Sequence, residues 1–331
     1  MNEHENRSAQ LASVARGTLQ VVGLSARAVG EPARATTRKR KFRRDEISAA
    51  YLLLAPVLLL FGFAVAFPLI DTIRMSFFDI RGLGAARYVG FGNYVTLLHD
   101  SNFRQALSTT LIWTLSTTVL SVGMGWMLAL LCSLAPQATQ IPRILIFSTF
   151  GISEAVTGFI WLGIFRPDSG GLLNAGLASI GLGQFTHAWL GDQSTALGAL
   201  VVAYSWAQVG LPLMLCFAAT QAIPSSILEA AYMDGARGVS LLRYIVMPLS
   251  LTGLRVSTFI NLLGSLRAFD TIFVMTNGGP VRSTETLGFF MYRESMTQFK
   301  LGYGAAATVV LLIAVLVVSI PVVMRHTAEA K

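Results

Sequence analysis

Charged residues are scarce in this chain, 13% of 331 residues against roughly 25% in soluble domains. With 53% hydrophobic residues, that scarcity excludes an ordinary soluble domain and points to a chain that crosses a membrane several times. Cysteine is nearly absent. Cys132 and Cys216, both within or beside apolar runs, can build neither a disulfide framework nor a zinc site; they read as small membrane-buried residues. The four histidines fall in no metal-ligand spacing. Only four lysines occur, and none closes a G-x-x-x-x-G-K-[ST] loop. The cradle that would hold ATP phosphates is therefore missing, and no nucleophile constellation marks an enzyme.

What is present is long apolar sequence. A membrane span needs about 20 apolar residues, and stretches near 48–70, 107–131, 144–165, 196–220, 251–275 and 303–324 qualify. The first and fourth carry no charge, the third carries Glu154, and Arg255, Arg267 and Asp270 interrupt the fifth. The fold class expected is an all-α membrane protein with six transmembrane helices over 47–325. Residues 1–46 read as a mostly disordered basic tail without the layout of a signal peptide. A weak amphipathic helix around Leu11–Val29 would lie on the membrane surface. Residues 326–331 form a second short tail.

The net charge of +8 invites a nucleic-acid reading, but seven Lys/Arg gather in Arg34–Arg44, just before the first apolar run. That is the usual cytoplasmic flank of a span, so no nucleic-acid partner is expected. The cluster places the N-terminus in the cytoplasm. The loop 71–106 also carries four arginines although it faces outward in this scheme; orientation rests on the first cluster. Four crossings later the chain is back, so 221–248 is expected to be cytoplasmic, as is the C-terminus.

That segment contains "SSILEAAYMDGARGVSLLRYIVMP". Pro224 stops the preceding helix, and Ser226 with Glu229 three residues on fits a capping box opening a new one. The spacing predicts a helix over about 226–236, broken by Gly238, with Pro248 at the start of the fifth span. Ala231 and Gly235 fall four residues apart, on one face of such a helix, and a small-residue face would let a partner backbone approach. Glu229 has two readings, a cap or a charged contact to that partner.

The residues "EAAYMDGARG", with Ile245 and Pro248, resemble the EAA motif of permease subunits of bacterial ABC importers. Glu229, Ala230, Ala231, Gly235, Ile245 and Pro248 fall on its positions, and Asp234-Gly235-Ala236 is typical of the carbohydrate-importing branch (maltose and glycerol-3-phosphate type permeases). "FDTIFVMTNGGP" at 269–280, "VGFGNYVTLL" at 89–98 and "KLGYGAAATVVLLI" at 300–313 resemble further segments of that branch. Leu242 and Met247 depart from the motif's usual aromatic and Leu. The resemblance covers about 48–325 and implies the type I ABC importer permease fold. It implies that 226–238 is the coupling helix, with Glu229, Ala230, Ala231, Asp234 and Gly235 docking on an ATPase. The partners implied are a second homologous permease subunit, two cytoplasmic ATPase subunits carrying ATP-Mg, an external substrate-binding protein and the lipid bilayer. No cofactor is expected on this chain. The mechanism implied is alternating access, with an oligosaccharide, glycerol 3-phosphate or a glycerophosphodiester as substrate. The competing class is a stand-alone secondary transporter, which would show internal repeats and broken helices at corresponding positions; neither is visible in the sequence.

Polar residues inside spans are costly and tend to face a cavity or a helix interface. The candidate path residues are Glu154, the i,i+4 pair Tyr204 and Gln208, the i,i+4 pair Asn261 and Ser265, and Arg267. Each has a second reading as a helix–helix hydrogen bond, worth roughly 0.6 kcal/mol, and Glu154 equally as an acid paired across a subunit interface. Tyr204, Trp206 and Trp161 could form an aromatic platform. Asp270, three residues after Arg267, is expected to neutralise it, which suits neutral sugars. An Arg267 turned into the cavity would instead suit phosphate. Gly278, Gly279 and Pro280 read as an external turn.

Overall fold

The computed structural model describes residues 44–168 and 170–329. The amphipathic helix expected at Leu11–Val29, nearly all of the basic cluster and the last two residues lie outside them. The chain divides into two units, Met1–Gly62 and Phe63–Lys331. In the first unit the described helix is α1, Arg44–Phe61. The second unit contains the remaining elements, and its candidate functional features are described below.

Among the described residues, three helical stretches are long and apolar enough to cross a membrane alone: Tyr51–Met75, Ser101–Leu134 and Leu301–Ile320. Three more crossings form only if bent helix pairs are each taken as one span. These pairs are Gln140–Phe150 with Glu154–Ile164 (103°), Ala196–Gln208 with Gly210–Gln221 (45°), and Val239–Leu249 with Leu251–Leu266 (56°). The six expected spans are thus all present as apolar helix, but half of them are broken. Hydropathy averages over a window and is blind to a short interruption such as Gly151-Ile152-Ser153. The fifth expected span, 251–275, is displaced: its helix ends at Leu266, and a separate short helix, Asp270–Met275, follows.

After α2, Phe67–Met75, come the short paired strands β1, Phe78–Asp79, and β2, Arg87–Tyr88, with Phe78 opposite Tyr88. Helix α3, Gly92–His99, follows. Its Asn93 amide donates to the carbonyls of Ser76 (2.8 Å) and Phe78 (3.0 Å), which ties the "GNY" stretch to the chain end of α2.

Helix α4, Ser101–Leu134, is the central post, about 50 Å long at 1.5 Å per residue. Its buried face is rich in Thr and Ser. Thr110, Thr117 and Ser121 return their hydroxyls to carbonyls four residues back, each at 2.7 Å, so their polarity is satisfied inside the helix. Asp100 caps α4 by accepting from the Asn102 amide at 2.8 Å and takes the Tyr303 hydroxyl at 2.7 Å. Burial alone would push the Asp100 carboxyl up. The Tyr303 hydroxyl, the amides of Asn102 and Phe103 and the nearby Arg282 outweigh it and hold the group below the ordinary aspartate value.

The bent pairs follow: α5, Gln140–Phe150, with α6, Glu154–Ile164; then α7, Leu172–Ser179; then α8, Ala196–Gln208, with α9, Gly210–Gln221. The EAA segment holds α10, Ser225–Met233, and the short α11, Val239–Leu241, and α12, Met247–Leu249. Next come α13, Leu251–Leu266, α14, Asp270–Met275, α15, Leu287–Tyr292, and α16, Leu301–Glu329. Helices α9 and α13 pack directly on each other and both pack on α4. Gly253 allows it: a Cβ there would stand 2.7 Å from the Leu215 carbonyl oxygen and 2.9 Å from the Cys216 Cα. Small residues at such crossings are how membrane helices gain contact where lipid is as apolar as leucine. Trp113, fully buried, donates from Nε1 to the Ser265 carbonyl at 3.1 Å and fixes α4 against α13.

Between α14 and α15 the chain turns at Gly278, in the left-handed region at φ +78. Buried Glu285 pairs with Arg293 and Arg282, and Glu294 pairs with Lys300 at 3.0 Å. Gly278, Gly279 and Pro280 shape this turn and do not line the cavity described next.

Candidate substrate cavity and coupling segment

Three helix breaks meet at one cavity of about 650 Å³. Phe150 to Glu154 line it at the α5–α6 break. Tyr204, Gln208 and Leu211 line it across the α8–α9 break. Ile260, Asn261, Gly264 and Arg267 come from α13, and Phe269 and Asp270 from the start of α14. Irregular backbone at membrane depth persists only where protein or a wet cavity satisfies it. The breaks and the cavity are therefore one feature.

Five of the six expected path residues line this cavity: Glu154, Tyr204, Gln208, Asn261 and Arg267. Glu154 is not mid-helix, as its place in the apolar run suggested. It is the first residue of α6, where a carboxylate suits the helix N-terminus. Tyr204 and Gln208 share a face with Leu211, at i, i+4 and i+7. The Tyr204 ring is 2% exposed and lies 5.0 Å from Trp113, and its hydroxyl passes beside Gly264.

Ser265 does not join them. The lining face of α13 runs through 260, 261, 264 and 267, and Ser265 falls on its flank, toward α4. It is 2% exposed, its hydroxyl donates to the Leu262 carbonyl at 3.1 Å, and its own carbonyl accepts from Trp113.

The expected Arg267–Asp270 neutralisation is also absent. Arg267 caps the end of α13, Phe269 is the N-cap of α14, and Asp270 begins α14, so the helical spacing behind that expectation does not exist. Both residues are exposed to the cavity. Among the described residues, the side chains of Glu154, Tyr204, Gln208, Arg267 and Asp270 form no hydrogen bond or ion pair; Asn261 alone donates, to the Ser257 carbonyl at 3.2 Å.

The aromatic platform differs as well. Trp161 packs on Phe165 and Trp206, with ring centres 5.1 Å and 6.0 Å away, and neither tryptophan lines the cavity. Phe150, Tyr204 and Phe269 do. Phe150, Ser153 and Phe269 escaped sequence reasoning because they lie at or in the breaks; the Gly151–Ser153 interruption and the "FD" at 269–270 were the available signals.

The EAA segment is built differently from its expectation. Helix α10 runs Ser225–Met233 with Pro224 as N-cap and no side-chain cap bond, so the Ser226–Glu229 capping box is not formed. Nor does the helix reach Ala236. Gly235 sits at φ +86. The Ala236 amide donates to the Ala231 carbonyl at 2.9 Å and the Gly235 amide to the Tyr232 carbonyl at 3.1 Å. These two bonds are the Schellman closure of a helix end. Ala231 and Gly235 therefore share no helix face. Ala231, 6% exposed, packs into the chain's own cluster with Leu130, Leu241 and Val246. The face left open presents Glu229, Ala230, Tyr232, Met233 and Asp234, with Met233 88% exposed.

The family described as "binding-protein-dependent transport system inner membrane component" matches residues 100–329. The chain is 33% identical over 273 residues to "Probable ABC transporter permease protein YurN" of Bacillus subtilis, covering 82% of this chain and 93% of that one. It is 32% identical over 270 residues to "sn-glycerol-3-phosphate transport system permease protein UgpA" of Brucella abortus, covering 79% and 89%. A solved bacterial alginate ABC transporter, in complex with an alginate pentasaccharide-bound periplasmic protein, superposes with a TM-score of 0.73 at 20% identity over 83% of this chain and 92% of that one. That likeness is one of fold.

Proposed function

We infer the function from one premise: the chain belongs to the family of binding-protein-dependent transport system inner membrane components. It is a multi-pass permease component of an ABC importer, and the reading as a stand-alone secondary transporter is set aside. Broken helices, expected only under that second reading, do occur here; they accompany a cavity in either class and do not separate the two.

We propose that the cavity is the substrate path and that α10 is the ATPase-docking helix, with Glu229, Ala230, Tyr232, Met233 and Asp234 as its contact face. The supporting observation is the connection between them. Helix α9 begins at the cavity with Leu211 and ends three residues before Pro224, the N-cap of α10. Helix α13 returns from the same segment to the cavity at Ile260–Arg267. The two pack together through Gly253, so a displacement of α10 moves two walls of the cavity. A chain without an ATP site needs such a transmission. ATP-Mg is bound and hydrolysed on two cytoplasmic ATPase subunits, a second homologous permease completes the path, and an external binding protein delivers the solute. Alternating access follows from rocking α9 and α13. The N- and C-termini lie in the cytoplasm, and the solute is of carbohydrate type.

The test is reconstitution of this chain with its cognate permease, ATPases and binding protein in proteoliposomes. Uptake should require ATP and every partner; uptake driven by an ion gradient without the ATPase would overturn the assignment. Single cysteines at Gly279 and Arg237 should react with an impermeant thiol reagent from opposite sides, Gly279 from outside. Reaction from one side would refute the orientation.

A further inference from the structure

We propose that the connection between α6 and α8 is a lipid-binding element: α7 and the loop after it lie in the headgroup layer of the bilayer, with Leu172, Ile180, Leu182 and Phe185 against the acyl chains. Under the orientation proposed above this is the outer leaflet, but the placement and its test hold for either. The connection is unlike its two counterparts on the same side. No charged residue occurs from 169 to 186, whereas 71–106 carries four arginines and 276–300 carries Arg282, Glu285, Arg293, Glu294 and Lys300. In place of charge it shows apolar side chains: Leu172 is 70% exposed, Ile180 69%, Phe185 56% and Leu182 38%. Exposed apolar residues gathered in this way mark a contact with protein or membrane.

The chain itself fixes the height of this element. Helix α6 ends at Ile164, and buried Asn174 ties α7 to that end. Its amide donates to the carbonyls of Arg166 (3.3 Å), Pro167 (3.4 Å) and His187 (3.0 Å), and its Oδ1 accepts from Trp189 Nε1 at 2.8 Å. Leu173 and Trp189 pack against the buried cluster that holds Phe165, just past α6, and Leu200 of α8. Helix α7 is therefore held beside the ends of two spans, where hydrocarbon gives way to headgroups and where tryptophan is enriched.

The backbone and the polar side chains favour lipid over a protein partner. Gly181, at φ +81, closes α7: the Leu182 amide donates to the Leu177 carbonyl at 2.8 Å and the Gly181 amide to Ala178 at 3.1 Å. The Phe185 and Thr186 amides then donate to Leu182 (3.0 Å) and Gly183 (3.2 Å). A backbone satisfied from within is what contact with lipid demands. A docked protein would meet a polar rim that supplies hydrogen bonds. Within 172–185, however, Asn174 is buried and Ser179 returns its hydroxyl to the Gly176 carbonyl at 2.8 Å. Gln184 is the one polar side chain left to face a partner. What remains is apolar area, the quantity with which binding of an interfacial helix to lipid scales.

The experiment places a nitroxide on single cysteines in a Cys132→Ala, Cys216→Ala chain, within the full transport complex in nanodiscs of phosphatidylethanolamine and phosphatidylglycerol. The positions are Ile180→Cys and Phe185→Cys, with Gln193→Cys, exposed on the same connection, as the water reference. Co-elution of all subunits checks each variant. Oxygen concentrates in lipid and a nickel chelate in water, so the ratio of their collision rates reports the surroundings of the label. The oxygen-to-nickel ratio at 180 and 185 should exceed that at 193 severalfold, and adding the cognate binding protein should leave the excess in place. A ratio equal to that at 193 would put the face in water and overturn the proposal. Low collision rates with both reagents would mean that protein covers it: the second permease if seen without the binding protein, the binding protein if seen only on its addition. Either result would also overturn the lipid assignment. The readout requires no uptake, so it fails or holds separately from the cavity and the ATPase contact.

Discussion

Around the cavity, helices stop short and leave the side chains of Glu154, Tyr204, Gln208, Arg267 and Asp270 without a hydrogen-bond or ion-pair partner among the described residues. Around α10, the helix end is closed by its own backbone, with the Ala236 and Gly235 amides returned to the Ala231 and Tyr232 carbonyls. Under the proposed function, the contrast separates two tasks. A site that must greet and release a solute keeps polar groups available and takes its shape from breaks. A lever that must be pushed as a body satisfies its backbone internally and offers only side chains, here Tyr232 and Met233, to whatever pushes it.

The largest expected effect comes from cutting the connection between the two regions. Gly253→Leu would drive a side chain into the backbone of α9 at Leu215 and Cys216. Overpacking of this kind costs typically 1–3 kcal/mol, and about that or more where backbone is struck. The variant should be recovered poorly and without ATPase association, as read by membrane yield and size-exclusion profile. Normal recovery with coupled uptake would show that α9 and α13 do not need to touch.

Gly235 gives the next effect and sharpens the comparison. A Cβ there meets nothing within 4 Å, while the backbone is at φ +86. Its substitution therefore strains the chain without crowding it, by about 1–2 kcal/mol for a residue with a Cβ. Gly235→Ala and Gly235→Leu should lose similar thermal stability, and Gly235→Asn less, because Asn tolerates this conformation. Any further loss of ATPase association in the Leu variant reports the docking surface alone. A Leu variant far less stable than the Ala variant would mean that the open space is filled by the chain itself.

The sequence carried the elements of both regions but not their closures. The apolar runs located five of the six spans and misplaced the fifth, whose bent pair runs Val239–Leu249 and Leu251–Leu266; Tyr204, Gln208 and Asn261 were legible from polarity and helical spacing. The breaks at Gly151–Ser153 and Arg267–Phe269 were not, because a run of apolar residues looks alike whether the helix continues or turns by 103°. Reading Arg267 and Asp270 as helix neighbours followed from assuming one unbroken helix; Ser265, inside α13, was misplaced because the lining face runs through 260, 261, 264 and 267 and leaves 265 on its flank. At α10 the error was the reverse. The Asp-Gly-Ala triplet was read as helix interior, although glycine after a short helix is itself a stop signal.

Glu229→Gln should have a smaller effect. Glu229 is exposed and α10 has no side-chain cap, so the helix loses nothing. What remains is an exposed charged contact, worth about 0.2–1 kcal/mol. ATPase affinity in detergent should fall by no more than about fivefold, with assembly retained. Unchanged affinity would remove Glu229 from the contact face. Smallest of all, Ser265→Ala should leave solute affinity within about twofold, since its hydroxyl bonds within α13 and a neutral bond of this kind is worth little in a membrane helix. A large loss of solute binding would return Ser265 to the path.

The most direct measurement is the accessibility of a single cysteine at Gln208 in the full complex. Native Cys132 and Cys216 are buried, the latter fully, so background labelling is low. An impermeant thiol reagent should reach Gln208→Cys from the ATPase side in the nucleotide-free complex. With ATP trapped on the ATPases, it should reach the same position only from the binding-protein side. Labelling from one and the same side in both states, or no protection by a bound solute, would contradict a cavity whose walls are moved by α10.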